Sequence, residues 1–316
     1  MNLKLRLMEK NSIEISLVKL LSSITNSKLY NFDHGLRPPI GIFNISKSRL
    51  FDALESFLDE YESCKNSKKL AELHLEIVES YNAFVDDTYH IFKCFFSINE
   101  IDLDKKFAHE QLRRVIPDTI NRYFGNVKPF REIYALINNS VKHNHARYNS
   151  ISIKSIYGES KGYYIEAINQ DGALSPHNKI HPLYQGVYTG ISYNYDIKRI
   201  IISWLIICEY MEKEILNIIK LNSVSLENYS YTDADKNSFS NFYSMINRII
   251  MMKEYYFVDE YDKGVSKFEY FESELVISYP APKSYKMKLF FPQKYNVSIE
   301  SHGDGVTKSW IFPYMF

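Results

Sequence analysis

The chain has 316 residues, 45% of them hydrophobic and 24% charged, enough to bury an ordinary core without disulfide staples. Its 38 basic and 38 acidic residues cancel, which excludes a whole-molecule electrostatic pull toward nucleic acid or a membrane surface. Cys64, Cys94 and Cys208 lie far apart in apolar surroundings, a pattern that makes neither a disulfide framework nor a zinc site and fits a reducing, cytoplasmic compartment.

The N-terminal alternation of Lys and Leu is followed by no apolar stretch with a small-residue cleavage site, so no signal peptide is expected. Asn11-Ser-Ile-Glu14 has the form of a capping box and predicts a helix to about Thr25. Residues 26–44 hold Pro38, Pro39 and two glycines and read as a loop. Ser46 then caps a helix with Leu50, Leu54, Phe57, Leu58 and Tyr61 at helical spacing. After Asn66 the apolar positions Leu70, Leu73, Ile77, Tyr81, Phe84, Ile91 and Phe95 recur through about eight turns, which predicts one long helix with Phe84 and Ile91 buried.

Residues 105–116 read as helix up to Pro117, a short helix follows over 118–124, and Pro129 opens another that runs to about Arg147. Beyond Asn149 the period changes to that of strands, over 151–156, 163–168 and 187–193, with a long loop at 169–186. Helices return at 196–221 and 238–253. The apolar run 200–208 is about half a bilayer span and reads as a buried segment, so no membrane partner is expected. Strands are predicted at 275–279, 285–291, 297–301 and 306–312, with a turn at Gly303-Asp304-Gly305.

The pattern predicts an α+β protein: an N-terminal helix and loop over 1–45, a bundle of roughly four or five helices over 46–150, and a mixed, strand-rich region over 151–316. The change near residue 150 shows no linker, so the two halves are free to share one core.

Charge is less even than its total. Between Lys105 and Lys154 ten basic residues face three acidic ones, a surplus of seven. This is either ordinary clustering offset by the acidic stretch 52–62, or the footprint of an anionic partner such as RNA, with Arg113, Arg114, Arg131 and Arg147 as candidate phosphate contacts. In the helix after Pro129 the stripe Phe130, Ile133, Tyr134, Ile137 and Val141 puts Asn139 and His143 on the opposite side, one turn apart. Arg131, Asn138, Lys142 and His145 form an adjacent row. A histidine so placed can act as a general base while Asn139 and Lys142 orient a phosphate. The plainer reading is a polar outer face whose late His and Lys complement the helix dipole.

This segment resembles the active-site helix of HEPN-domain proteins, helical bundles that often carry an Arg-x4-6-His motif. His143 matches the motif histidine, Asn139 the polar residue, and Asn138 stands at the position of the arginine. The resemblance covers about residues 46–150. It implies a homodimer whose motifs meet at the interface and cleave RNA without a metal, in a prokaryotic defence or toxin setting. Asn138 lacks the charged fork of an arginine. Either Lys142 or Arg147 supplies that charge, or the domain binds or dimerises without cleaving.

Other constellations are weaker. His177 and His181 have a zinc-like spacing, but Pro176 and Pro182 put them in a loop with no third ligand, so no metal is expected. Ser301-His302-Gly303-Asp304-Gly305 reads as a hairpin turn and not a triad. No phosphate-cradling or dinucleotide fingerprint is present, and no cofactor is expected. The aromatic residues Tyr255, Tyr256, Phe257, Tyr261, Phe268, Tyr270 and Phe271 read as strand core before they read as a stacking surface. Two functions remain: a HEPN-like protein that binds RNA or cleaves it as a metal-independent endoribonuclease, and a non-catalytic module that dimerises through its bundle and binds another protein.

Overall fold

The computed structural model describes residues 2–8, 11–25, 28–63, 67–155, 158–168, 172–252, 256–279 and 296–299. The chain opens with strands β1 (Asn2–Met8) and β2 (Ser12–Ile13) and helix α1 (Ser16–Ser22). Helices α2 (Pro39–Ser63), α3 (Ser67–Lys93), α4 (Ala108–Leu112) and α5 (Pro117–His143) follow. Strands β3 (Arg147–Ser155), β4 (Gly158–Ile168), β5 (Leu174–Pro176) and β6 (Ile191–Ser192) lead into helices α6 (Tyr193–Leu221), α7 (Asp233–Met251) and α8 (Val258–Lys263). Strands β7 (Lys267–Phe271), β8 (Glu274–Ser278) and β9 (Asn296–Ile299) complete the described elements. The class is α+β, with antiparallel pairing throughout the described sheets.

Helix α6 is apolar almost all the way round, and such a helix must be enclosed. The fully buried Trp204 sits at its middle, with ring centroids 5.0 Å from Phe51, 5.8 Å from Phe84 and 5.6 Å from Phe242. Helices α2, α3 and α7 are thereby fixed around it, each aromatic contact adding about 0.5–1.5 kcal/mol beyond its buried area. The long helix expected after Asn66 is α3, and Phe84 and Ile91 are both 1% exposed.

One sheet has the order β2-β1-β8-β7 and pairs Leu3 with Ile277. The other runs β5-β4-β3-β9, with β6 also bonded to β4. There Gly162 is required: a Cβ on it would stand 2.1 Å from the carbonyl oxygen of Ile191. A single apolar cluster holds residues from Leu3 to Ile277 and so draws on both halves of the chain.

Several expected elements differ. Asn11 has φ +71° and turns β1 into β2, and the Glu14 carboxylate accepts from the Tyr231 hydroxyl, so no capping box forms and α1 starts only at Ser16. Helix α2 starts at Pro39, a residue pre-set for a first turn, and Ser46 is buried inside it with its hydroxyl on Asp87 at 2.7 Å. Only 108–112 of the segment 105–116 is α-helical. The break expected between the helix over 118–124 and the one opening at Pro129 is absent. Tyr123, Val127, Tyr134 and Ile137 are buried on both sides of Pro129, and this shared burial carries α5 through a proline that faces solvent. The strand expected over 187–193 shrinks to β6 as α6 claims Tyr193, and the loop 169–186 contains β5. The strands expected at 285–291 and 306–312, the turn at Gly303 and the Ser301–His302 sequence lie outside the described residues, as does Cys64.

Candidate functional site

Helix α5 ends where the amide of Asn144 and that of Ala146 both donate to the carbonyl of Ser140, at 3.1 Å each. His145, at φ +53°, turns the chain into β3. Tyr134, Ile137 and Ser140 are buried along the inner face, which turns Asn139, Lys142 and His143 to solvent. Asn139 and His143 make no hydrogen bond or ion pair among the described residues. Asn138 is half-buried, and its side-chain oxygen is enclosed without a hydrogen-bond partner. It therefore projects inward, where a phosphate-binding arginine would need to project outward.

The cations are less available than their count suggests. Lys142 Nζ lies 3.2 Å from Glu79, Arg131 pairs with Asp86 at 2.6 Å, and Arg122 grips Glu214 through two bonds of 2.6 Å. Arg147 is half-buried at the first position of β3, opposite Glu166. Arg113 lies over the Phe124 ring, 5.7 Å from its centroid, and Arg114 is exposed. Both precede the start of α5, a helix about 40 Å long at 1.5 Å per residue. The structure thus brings Asn139, Lys142 and His143 to one helix end and leaves Arg113 and Arg114 at the other.

A cleft of about 370 Å³ opens beside that C-terminal end. Asn144, the residue after His143, lines it together with Ser175, His177, Asn178, Lys179 and Tyr188, and no carboxylate is among the described lining residues. Burial keeps the His177 imidazole below its ordinary pKa, so it is neutral at pH 7. Its Nδ1 accepts the Lys179 amide at 3.3 Å, which leaves the proton on Nε2 as a donor. A second cleft of about 530 Å³ between α2 and α3 is lined by Asp52, Glu76 and Glu79 as well as Arg49 and Lys142, and its mixed charge suits no polyanion.

Sequence reasoning missed a polar cluster inside the protein. His74 on α3 is fully buried, with Nδ1 2.7 Å from the Tyr148 hydroxyl. Its Nε2 stands 3.2 Å from Asp196 Oδ2, within ion-pair range but off the hydrogen-bond line. Asp196, in the first turn of α6, also accepts from the hydroxyls of Tyr134 and Tyr163 at 2.8 Å each. Burial pushes this carboxyl up, but His74, Arg199 and the Tyr163 hydrogen bond outweigh it and hold the pKa below the ordinary value. Burial drives the phenols of Tyr134, Tyr148 and Tyr163 well above theirs. They are neutral donors, poorly suited to act as nucleophiles, and His74 and Asp196 are sealed from solvent, so the cluster ties α3, α5, α6, β3 and β4 together. The signal was present: His74 lies four residues from Leu70 on the inner face of its helix.

The two histidines with zinc-like spacing part company. His181 is fully buried and its Nε2 accepts the Ile165 amide at 2.8 Å, with burial lowering its pKa to about 3. His177 lines the cleft instead. Among the described residues no three His, Cys, Asp or Glu side chains gather at metal-binding range, and no helix is long and apolar enough to cross a membrane. No family model, curated protein or solved structure matches this chain.

Proposed function

We propose that the chain binds RNA at the C-terminal end of α5 and that His143 is the group placed to take a proton from a ribose 2'-hydroxyl. The observation that supports this reading is a cleft next to the motif, with no carboxylate among its described lining residues: Lys179 offers charge, His177 and Asn178 offer hydrogen bonds, and Asn144 carries the lining to within one residue of the exposed His143. In this reading cleavage needs no metal, and the cation missing at Asn138 comes from Lys179 or from a second protomer, as the HEPN resemblance implies. A role in cellular defence or toxicity belongs to the same proposal.

The test is cleavage and binding of RNA by purified protein. His143→Ala should lower cleavage about a hundredfold, the usual share of a positioned base, with the melting temperature unchanged and chelators without effect. Binding should weaken steeply with salt, since phosphate contacts release counterions. Full activity in His143→Ala overturns the catalytic role, and binding indifferent to salt overturns the RNA reading.

A second reading has its own support. The pairing of Lys142 with Glu79 and of Arg131 with Asp86 removes two cations from the surface that the RNA reading uses. That neutralisation favours a module that docks a protein. Salt-insensitive self-association without RNA binding would favour it.

A further inference from the structure

Four cations without an ion pair among the described residues gather at the other end of the basic region, around the exposed Phe107 ring and the half-buried rings of His109 and Phe124. Lys105, Lys106, Arg113 and Arg114 are all exposed and make no ion pair among the described residues. Between them the rings of Phe107, His109 and Phe124 form a column: His109 stacks on Phe107 at 5.8 Å and on Phe124 at 5.4 Å, with 21° between planes in both cases. Lys106 lies over the Phe107 ring at 5.5 Å, as Arg113 does over Phe124. Phe107 takes an extended backbone just before the short α4 and is 52% exposed, an unusual state for a phenylalanine whose neighbours Leu112 and Tyr123 are fully buried. Asp102, Asp104 and Glu110 share the segment, and none of them pairs with these four cations.

We infer that Phe107, backed by the stacked rings of His109 and Phe124, forms a stacking platform for an unpaired base of single-stranded RNA, with Arg113 and Arg114 meeting its phosphates. The open side of Phe107 accepts any base, because every base has a π-face, and the cations at the two ends of the column track the backbone. Burial lowers the His109 pKa, so its ring stacks in the neutral form at pH 7. Phe107 is the entry ring, and Lys106 swings from it onto a phosphate as a base arrives. The inference rests on the RNA reading above and names its substrate as single-stranded. It adds a second contact, since Phe124 and His143 are about 28 Å apart along α5.

Fluorescence anisotropy with a labelled oligoadenylate of about ten nucleotides tests it. Phe107→Ala should bind about tenfold more weakly than the unaltered protein, the size of one lost stacked base, and Phe107→Trp should restore binding. On an abasic oligomer of the same length, Phe107→Ala and the unaltered protein should bind alike. Unchanged affinity of Phe107→Ala for oligoadenylate overturns the platform and assigns the exposed Phe107 ring to a protein contact. An equal loss on the abasic oligomer, or no rescue by Phe107→Trp, overturns it as well. Lys179→Glu separates the two contacts. If only Lys179→Glu weakens binding, the platform fails and the α5 cleft stands; if only Phe107→Ala does, the cleft fails and the platform stands; if the unaltered protein binds no single strand, both fail.

Discussion

The buried cluster around Asp196 and the exposed end of α5 each hold a histidine among polar side chains and do opposite things with it. Asp196 is 1% exposed and holds two tyrosine hydroxyls and an imidazole within 3.2 Å. Asn139 and His143 hold nothing among the described residues. Burial makes every polar group in the first cluster a structural obligation, because an orphaned charge there has no water to fall back on. Exposure leaves the second free for a ligand. A histidine's surroundings, more than its identity, separate a tie from a tool.

Substitutions at each end sharpen that contrast. Asp196→Ala removes the acceptor of the Tyr134 and Tyr163 hydroxyls and the ion-pair partner of His74 in the interior, and should cost about 3–5 kcal/mol in urea unfolding, the usual range for breaking a buried pair. A loss below about 1 kcal/mol would mean that water reaches the cluster, and the distinction between the two regions would collapse. His143→Ala should leave unfolding untouched and show only in RNA cleavage, at the hundredfold scale given above.

Glu260 supplies the pH dependence. Burial and the neighbouring Asp259 raise its carboxyl to about 8, against hydrogen bonds from Ser192 and Phe257. A raised carboxyl binds its proton more tightly in the fold than in the unfolded chain. Its contribution is therefore complete below about 4.5 and is lost as pH rises through about 8. Stability measured across that window should decline, and Glu260→Gln should flatten the decline. A profile that keeps its slope in the variant would place the titration elsewhere. The smallest effect is expected at Lys142→Ala: the pair with Glu79 is 46% and 40% exposed, so its loss should cost at most about 1 kcal/mol.

Much of the helical scaffold was legible, because burial imposes a period that sequence records. The stripe Leu70 to Phe95 gave α3, and the run Ile200 to Cys208 gave the centre of α6. Where one local rule spoke alone, it failed. Pro129 breaks helices in isolation, yet four buried neighbours carry α5 past it. Asn11 and Glu14 match a cap by spacing, yet the pairing of β2 with β1 commits that segment to a sheet. At the candidate site, one-turn spacing placed Asn139 and His143 correctly on the outer face, while the loss of Lys142 and Arg131 to ion pairs came from helix α3, which no local pattern could announce. The aromatic segment near residue 260 divides: Phe257 is core at 1% exposed, whereas Tyr270 and Phe271 are 43% and 56% exposed.

The pairing of β1 with β8 also sets a schedule. Lys4 meets Glu274 across 270 residues of intervening chain. On a ribosome adding about 5–20 residues per second, β1 emerges and then waits roughly 15–50 seconds for its partner strand. During that wait its edge is open while the helices between, whose contacts are more local, can already assemble. Nascent chains stalled before residue 274 should therefore protect α2 and α3 from proteolysis and leave β1 open to cleavage, so a chaperone that shields early strand edges would find its work at β1.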